Sequence, residues 1–311
     1  MSQKKKSAQE VSAVLIMGLF FILVHGLALV ILQPFETAGI EPAFENPNDP
    51  TNIIYIFSIM LVFTVIILLI AKYWKKQLIQ FIILGAIGYT AFYAFFLPAF
   101  ILILPSVHWF IALGLSIIAA VVLIVLLYRY PEWYVIDTCG IIVGTSAIIV
   151  FGISLSVFLV LILLIGLALY DAISVYKTKH MIDLADTVMD LKLPVLLVVP
   201  KIKHYSLIKE TKRLKEKLEE GEDREAFFMG LGDIVMPGIL VVAIYYNVQQ
   251  GLPIAIGTMI GTLVGFLLLM RFVLKGKPQA GLPFLCGGAI MGYIISSLVY
   301  IGYLPGLNFV F

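Results

Sequence analysis

The sequence predicts an all-α polytopic membrane protein with nine transmembrane helices, a cytoplasmic N-terminus and a C-terminus outside. Two observations carry the class. The 311 residues are 61% hydrophobic and only 13% charged, where soluble domains run near 25% charged. Mean hydropathy is +1.06. The third observation is where the charges lie. With nine spans and an inside N-terminus, the inner segments are the N-terminal tail, 72–77, 129–132, 177–225 and 271–280. All 21 Lys and Arg residues then fall inside, as the positive-inside rule requires.

The elements follow in order. Lys4, Lys5 and Lys6 precede an apolar run, Val11–Leu32. It is longer than the hydrophobic region of a signal peptide and is read as the first span. Residues 33–51 hold Glu36, Glu41, Glu45 and Asp49 without a basic residue, which suits an outer loop. Asn52–Ala71 is the second span. Leu78–Leu104 is the third, with Pro98 tolerated as a kink. Trp109–Tyr128 is the fourth. Residues 133–176 carry only Asp137 and Asp171 as charges. That length is about twice the ~20 residues one helix needs, so it holds two spans with a turn near Gly152–Ser156. A single span there would move the basic residues beyond it to the outside. Ala226–Tyr246, Leu252–Val273 and Leu282–Tyr303 are the seventh to ninth spans.

The chain therefore reads as one membrane domain, 1–311. Residues 1–176 hold spans one to six, 177–225 form a cytoplasmic loop, and 226–311 hold spans seven to nine. Within the loop, Met181, Leu184, Ala185, Val188 and Met189 recur at helical spacing against Asp183, Asp186 and Asp190, a short interfacial amphipathic helix. Pro194–Pro200 is apolar, β-branched and bounded by proline, and reads as an extended strand against the bundle. His204–Arg224 is a charged, solvated helical spacer.

Several chemistries find no support. Cys139 and Cys286 sit in apolar runs, so no disulfide framework is implied. The four histidines lack metal-ligand spacing, and there is no P-loop or strand-turn-helix glycine fingerprint. No metal or other cofactor is expected, and no nucleic-acid partner. Any active site must be built from the spans.

Phe227–Ile239 is apolar apart from Asp233, with Gly230 and Gly232 before it and Pro237 after it. An Asp at a bilayer centre costs roughly 2.5–3.5 kcal/mol on insertion scales and is read as functional. Topology supplies its partner. Asp171 lies six residues before the inner end of span six, and Asp233 six residues after the start of span seven. Each is then about 9 Å below the inner surface on antiparallel neighbours. Two carboxylates sharing a site do not both ionise easily. One can take a proton from water while the other, protonated, hydrogen-bonds a scissile carbonyl and protonates the leaving group. The glycines leave room beside Asp233 for another backbone. Pro237 lacks the N–H that would bond the carbonyl of Asp233, which loosens the helix at the acid.

Tyr170-Asp171 in span six, Gly230-Leu231-Gly232-Asp233 in span seven and Leu282-Pro283-Phe284-Leu285 opening span nine resemble the YD, GxGD and PAL motifs of the presenilin and signal peptide peptidase family, most closely its archaeal presenilin homologues. The third motif departs at Phe284, where the family has alanine, and Ala280-Gly281-Leu282 is an alternative alignment. The resemblance implies an intramembrane aspartyl protease of the cell membrane, with Asp171 and Asp233 as the catalytic pair. Tyr170, Gly230, Gly232, Pro283, Phe284 and Leu285 would shape the site and dock an unwound substrate. Substrates would be transmembrane helices of other proteins, cut within the lipid bilayer, with Pro194–Pro200 part of the surface that binds them. It also raises self-cleavage of the loop between spans six and seven.

Other polar residues have plainer readings. Asp137 is expected to be structural or interfacial, and His25 a satisfied buried polar group. The glycine spacings 257, 261, 265 and 288, 292 signal helix packing. The rival function is a proton- or cation-coupled transporter or channel, since such proteins also pair intramembrane acids on broken helices. The chain shows no inverted repeat, and its acids lie toward one face.

Overall fold

A computed structural model of the chain describes residues 3–37, 41–73, 76–103, 108–175, 196–201, 205–207, 226–274 and 279–307. They form ten helices, one π turn and one two-stranded hairpin. In chain order these are α1 (Gln3–Thr37), α2 (Thr51–Tyr73), α3 (Lys76–Ala91), a π turn (Phe92–Phe96), α4 (Leu97–Ile103), α5 (Trp109–Arg129), α6 (Trp133–Ser154) and α7 (Val157–Ile173). The hairpin strands β1 (Leu196–Pro200) and β2 (Ala226–Gly230) come next. Then follow α8 (Leu231–Asn247), α9 (Leu252–Val273) and α10 (Leu282–Tyr300).

Among the described residues, six stretches are long and apolar enough to cross a membrane: Gln9–Phe35, Gln80–Ile103, Trp109–Arg129, Trp133–Ser154, Leu252–Val273 and Leu282–Tyr300. They include α1, the α3–π–α4 rod, α5, α6, α9 and α10. The expected kink at Pro98 takes the form of the π turn just before it. Pro98 has no N–H to give Ala94 and would crowd its carbonyl in a regular helix. The π turn absorbs both problems, and Leu97 N–H bonds back to Phe92 O. The break between α6 and α7 falls at Leu155–Ser156, within the predicted turn. The loop before α2 packs on it. Ser156 N–H donates to Pro47 O at 2.9 Å, and Ala43 N–H to Ser154 Oγ at 2.7 Å. In the same loop Asp49 accepts the Thr51 N–H at 2.9 Å, which holds its carboxyl below the usual carboxylate range.

α8 is the axis of the bundle. Ile234, Val235 and Pro237–Ile244 are all buried, so it is apolar all round. It touches α1, α6, α7, α9 and α10. The outer helices α2 and α5 expose large apolar side chains, as lipid-facing helices do. The most extensive pairing is α9 with α10, where the predicted glycine spacings meet. A Cβ at Gly261 or Gly265 would strike the carbonyls of Gly288 or Phe284, so these backbones lie in direct contact.

Two expectations are corrected. The protein is not all-α, because β1 and β2 pair antiparallel from Leu196↔Gly230 to Pro200↔Ala226. The expected strand near Pro194–Pro200 is β1, and it lies against α6. Its partner takes the first five residues of the expected seventh span. Ala226–Gly230 finds backbone donors and acceptors in β1, so the helix starts only at Leu231. The expected ninth span, α10, also ends earlier than expected, at Tyr300. The predicted amphipathic helix at 181–192, most of the charged spacer at 204–224 and the basic residues Lys275 and Lys277 lie outside the described residues.

Candidate active site

Asp171 and Asp233 sit near the ends of two unusually short helices, the C-terminal end of α7 and the N-terminal end of α8. α7 and α8 have 17 residues each, about 26 Å at 1.5 Å per residue. That falls short of a hydrocarbon core of about 30 Å. Asp171 is two residues from the end of α7, and Asp233 is the third residue of α8. Each acid is nearer its helix end than the six residues the sequence suggested.

Each carboxylate is held by a helix N-terminus, where the first N–H groups lack helical partners. Gly230 is the N-cap of α8, in an extended conformation. Asp233 reaches back to accept the Gly230 N–H, which is one half of a capping box. Asp171 lies at the start of a different helix. It accepts the Leu282 N–H at 3.0 Å and the Gly281 N–H beside it. Leu282 opens α10, and Pro283 follows where a missing N–H costs nothing.

Gly281 joins the two acids. Its N–H serves Asp171, and a Cβ placed on it would lie 3.2 Å from Asp233 Oδ2. Asp233 is near enough to Asp171 to feel its charge. Asp171 is 5% exposed, while Asp233 is half-buried. The site is thus a pair of acids around one backbone turn, with donors aimed at both.

The other expected site residues divide. Gly230 lies against Asp233, where a Cβ would come 3.4 Å from Oδ2. Gly232 faces open space and is exposed. Tyr170 is 69% exposed, although its neighbour Asp171 is buried. Leu285 is fully buried in the core behind it. Phe284 stacks at a tilt on Phe272, ring centroids 5.6 Å apart, and its carbonyl packs on Gly265. Pro283 lines an apolar groove of about 650 Å³ between α9 and α10. So the alternative segment, Ala280-Gly281-Leu282, is the one that meets the carboxylates. Its sequence signal was a glycine just before Leu-Pro, a helix-start pattern.

The remaining polar residues match their plain readings. His25 Nε2 bonds Ile234 O at 2.9 Å, beside Asp233, and is 1% exposed. Gly238 makes room for its ring. Asp137 binds the hairpin: Val198 N–H donates to its Oδ1 at 2.7 Å. Cys139 and Cys286 are both free and buried. Among the described residues no cluster of His, Cys, Asp and Glu could hold a metal ion.

Comparison with known proteins decides the family. The family described as "Signal-peptide peptidase, presenilin aspartyl protease" matches residues 17–301. This chain belongs to that family. Two solved structures of a presenilin family intramembrane aspartate protease resemble it. One, in a P2 crystal form, is 34% identical with a TM-score of 0.67 and covers 91% of this chain and 96% of its own. The other, in a C222 form, is 32% identical with a TM-score of 0.65, covering 92% and 97%. No curated protein sequence matches. This presenilin-family chain is thus a multi-pass membrane protein and an intramembrane aspartic endopeptidase.

Proposed function

We propose that this protease cleaves peptide bonds within transmembrane segments of other membrane proteins, with Asp171 and Asp233 as its catalytic pair. The observation that carries the assignment is their convergence on Gly281–Leu282. N-terminal helix donors favour negative charge on a carboxylate, while the neighbouring acid opposes a second charge. The pair therefore holds one proton between its members. The ionised member takes a proton from water, which attacks the scissile carbonyl. The protonated member gives its proton to that carbonyl oxygen, forming a tetrahedral diol. The member that took the water's proton then passes it to the leaving amine, and the first member recovers a proton from the diol as the C–N bond breaks. No covalent intermediate is needed.

The short helices support water access. Where α7 ends and α8 begins, their terminal backbone groups need partners that lipid does not supply. Water at the inner face meets that need and is also the second substrate. A peptide must be extended to be cut, and a transmembrane helix is not. Local unwinding beside the hairpin and the backbone of Gly281 is thus part of the proposal, with Gly230 leaving clearance. We place nine spans in the membrane, the N-terminus and the 177–225 loop inside and the C-terminus outside. The sum of basic residues on the inner segments supports this.

The test is cleavage of a transmembrane peptide by purified protein in liposomes. Asp171→Asn and Asp233→Asn should each abolish it. A transition-state-mimicking peptide should protect the wild type from thermal unfolding and neither variant. Cleavage surviving in either variant would remove that residue from the pair.

A further inference from the structure

Two more carboxylates lie at the inner end of α6, apart from the Asp171–Asp233 pair. Asp137 is 4% exposed. Its Oδ1 accepts the Val198 N–H at 2.7 Å, and its Oδ2 meets no hydrogen-bond partner among the described residues. A buried carboxyl group with one bare oxygen is a costly way to hold a helix together. What it visibly does is grip a strand.

The grip is directional. In an antiparallel pair, successive residues turn their backbone groups alternately toward and away from the partner. Val198 gives its N–H to Asp137, so it turns toward α6 and away from β2. The residue opposite it is Phe228. β2 then runs without a linker into Gly230, the cap of α8, and Asp233 follows three residues later. Two further contacts seat the same segment on α6. Leu197 packs on Gly140, where a Cβ would lie only 2.8 Å from Leu197 Cδ2. Glu132 accepts Ser206 Oγ–H at 2.6 Å and Leu207 N–H at 3.0 Å.

We propose that Asp137 is a positioning residue: by anchoring Val198 it seats the β1–β2 hairpin on α6 and so places the start of α8 and Asp233. The proposal rests on Asp233 being catalytic. Asp137 touches neither reacting acid and acts through the hairpin.

Asp137→Asn keeps an oxygen acceptor for Val198, and Asp137→Leu removes it. In purified, thermally stable protein, Asp137→Asn should cleave a transmembrane peptide at near wild-type kcat. Asp137→Leu should lose kcat roughly tenfold or more, since small misplacements of reacting groups are that costly. Its KM should change less. Amide exchange at 196–200 should rise in the leucine variant and not in the asparagine variant. Gly140→Val displaces Leu197 while leaving Asp137 in place, and should reproduce both losses should the leucine variant not fold. Wild-type kcat in Asp137→Leu or Gly140→Val overturns the proposal. So does an asparagine variant as impaired as the leucine one, or lost kcat with unchanged hairpin exchange. None of these outcomes bears on the catalytic pair, whose own failure shows as cleavage by Asp233→Asn.

Discussion

Single residues near the pair act through space and through donors. At Gly281 the lack of a side chain lets a backbone sit against Asp233, so Gly281→Val should push that carboxylate away from Asp171. Cleavage should fall by about 10²-fold with helix content by circular dichroism unchanged. Tyr170 gives the opposite expectation. It is 69% exposed, so Tyr170→Phe should keep wild-type kcat and KM in the peptide assay. Its neighbour Asp171 carries the chemistry of that motif. His25 holds the carbonyl next to Asp233. His25→Leu removes the donor and should cost about 1–3 kcal/mol of stability, read by chemical unfolding in detergent.

Elements show why the glycines are not equivalent. In the α9–α10 seam, Gly265 lies against the carbonyl of Phe284, and backbone cannot yield as a side chain can. Gly265→Ala should separate the helices and cost about 1–3 kcal/mol. Gly287 is on the same seam, yet a Cβ there meets nothing within 4 Å. Gly287→Ala is the control and should unfold as the wild type does. Much of this element scale is legible beforehand. The glycine spacings announce the seam, and the turn between α6 and α7 follows from span length. The start of α8 does not. Ala226–Gly230 is as apolar as the helix it precedes, and periodicity does not separate a buried strand from a buried helix. Its partner lies on the far side of a long loop.

At the scale of the whole molecule, sidedness is the testable property. With Cys139 and Cys286 replaced, a cysteine reporter at Glu45 should react with an impermeant thiol reagent from outside intact cells. One at Arg129 should react only after permeabilisation. Reaction of both from the same side would sink the nine-span arrangement. α8 lies at the centre because the short helices bearing the two acids must be surrounded. A buried charge in lipid needs protein or water on every side.

By itself the sequence determined the multi-pass membrane class and singled out the two acids, and it predicts nine spans with the basic residues inside. Hydrophobic run length and basic-residue placement are properties of the chain in a bilayer, so they need no tertiary information. Only the tertiary structure decided that Gly281 and Leu282 hold Asp171, that a hairpin begins α8, and that Asp137 grips that hairpin. Each of these joins residues far apart in the chain through backbone N–H groups, which every residue but proline carries, so the sequence does not say which residues will meet.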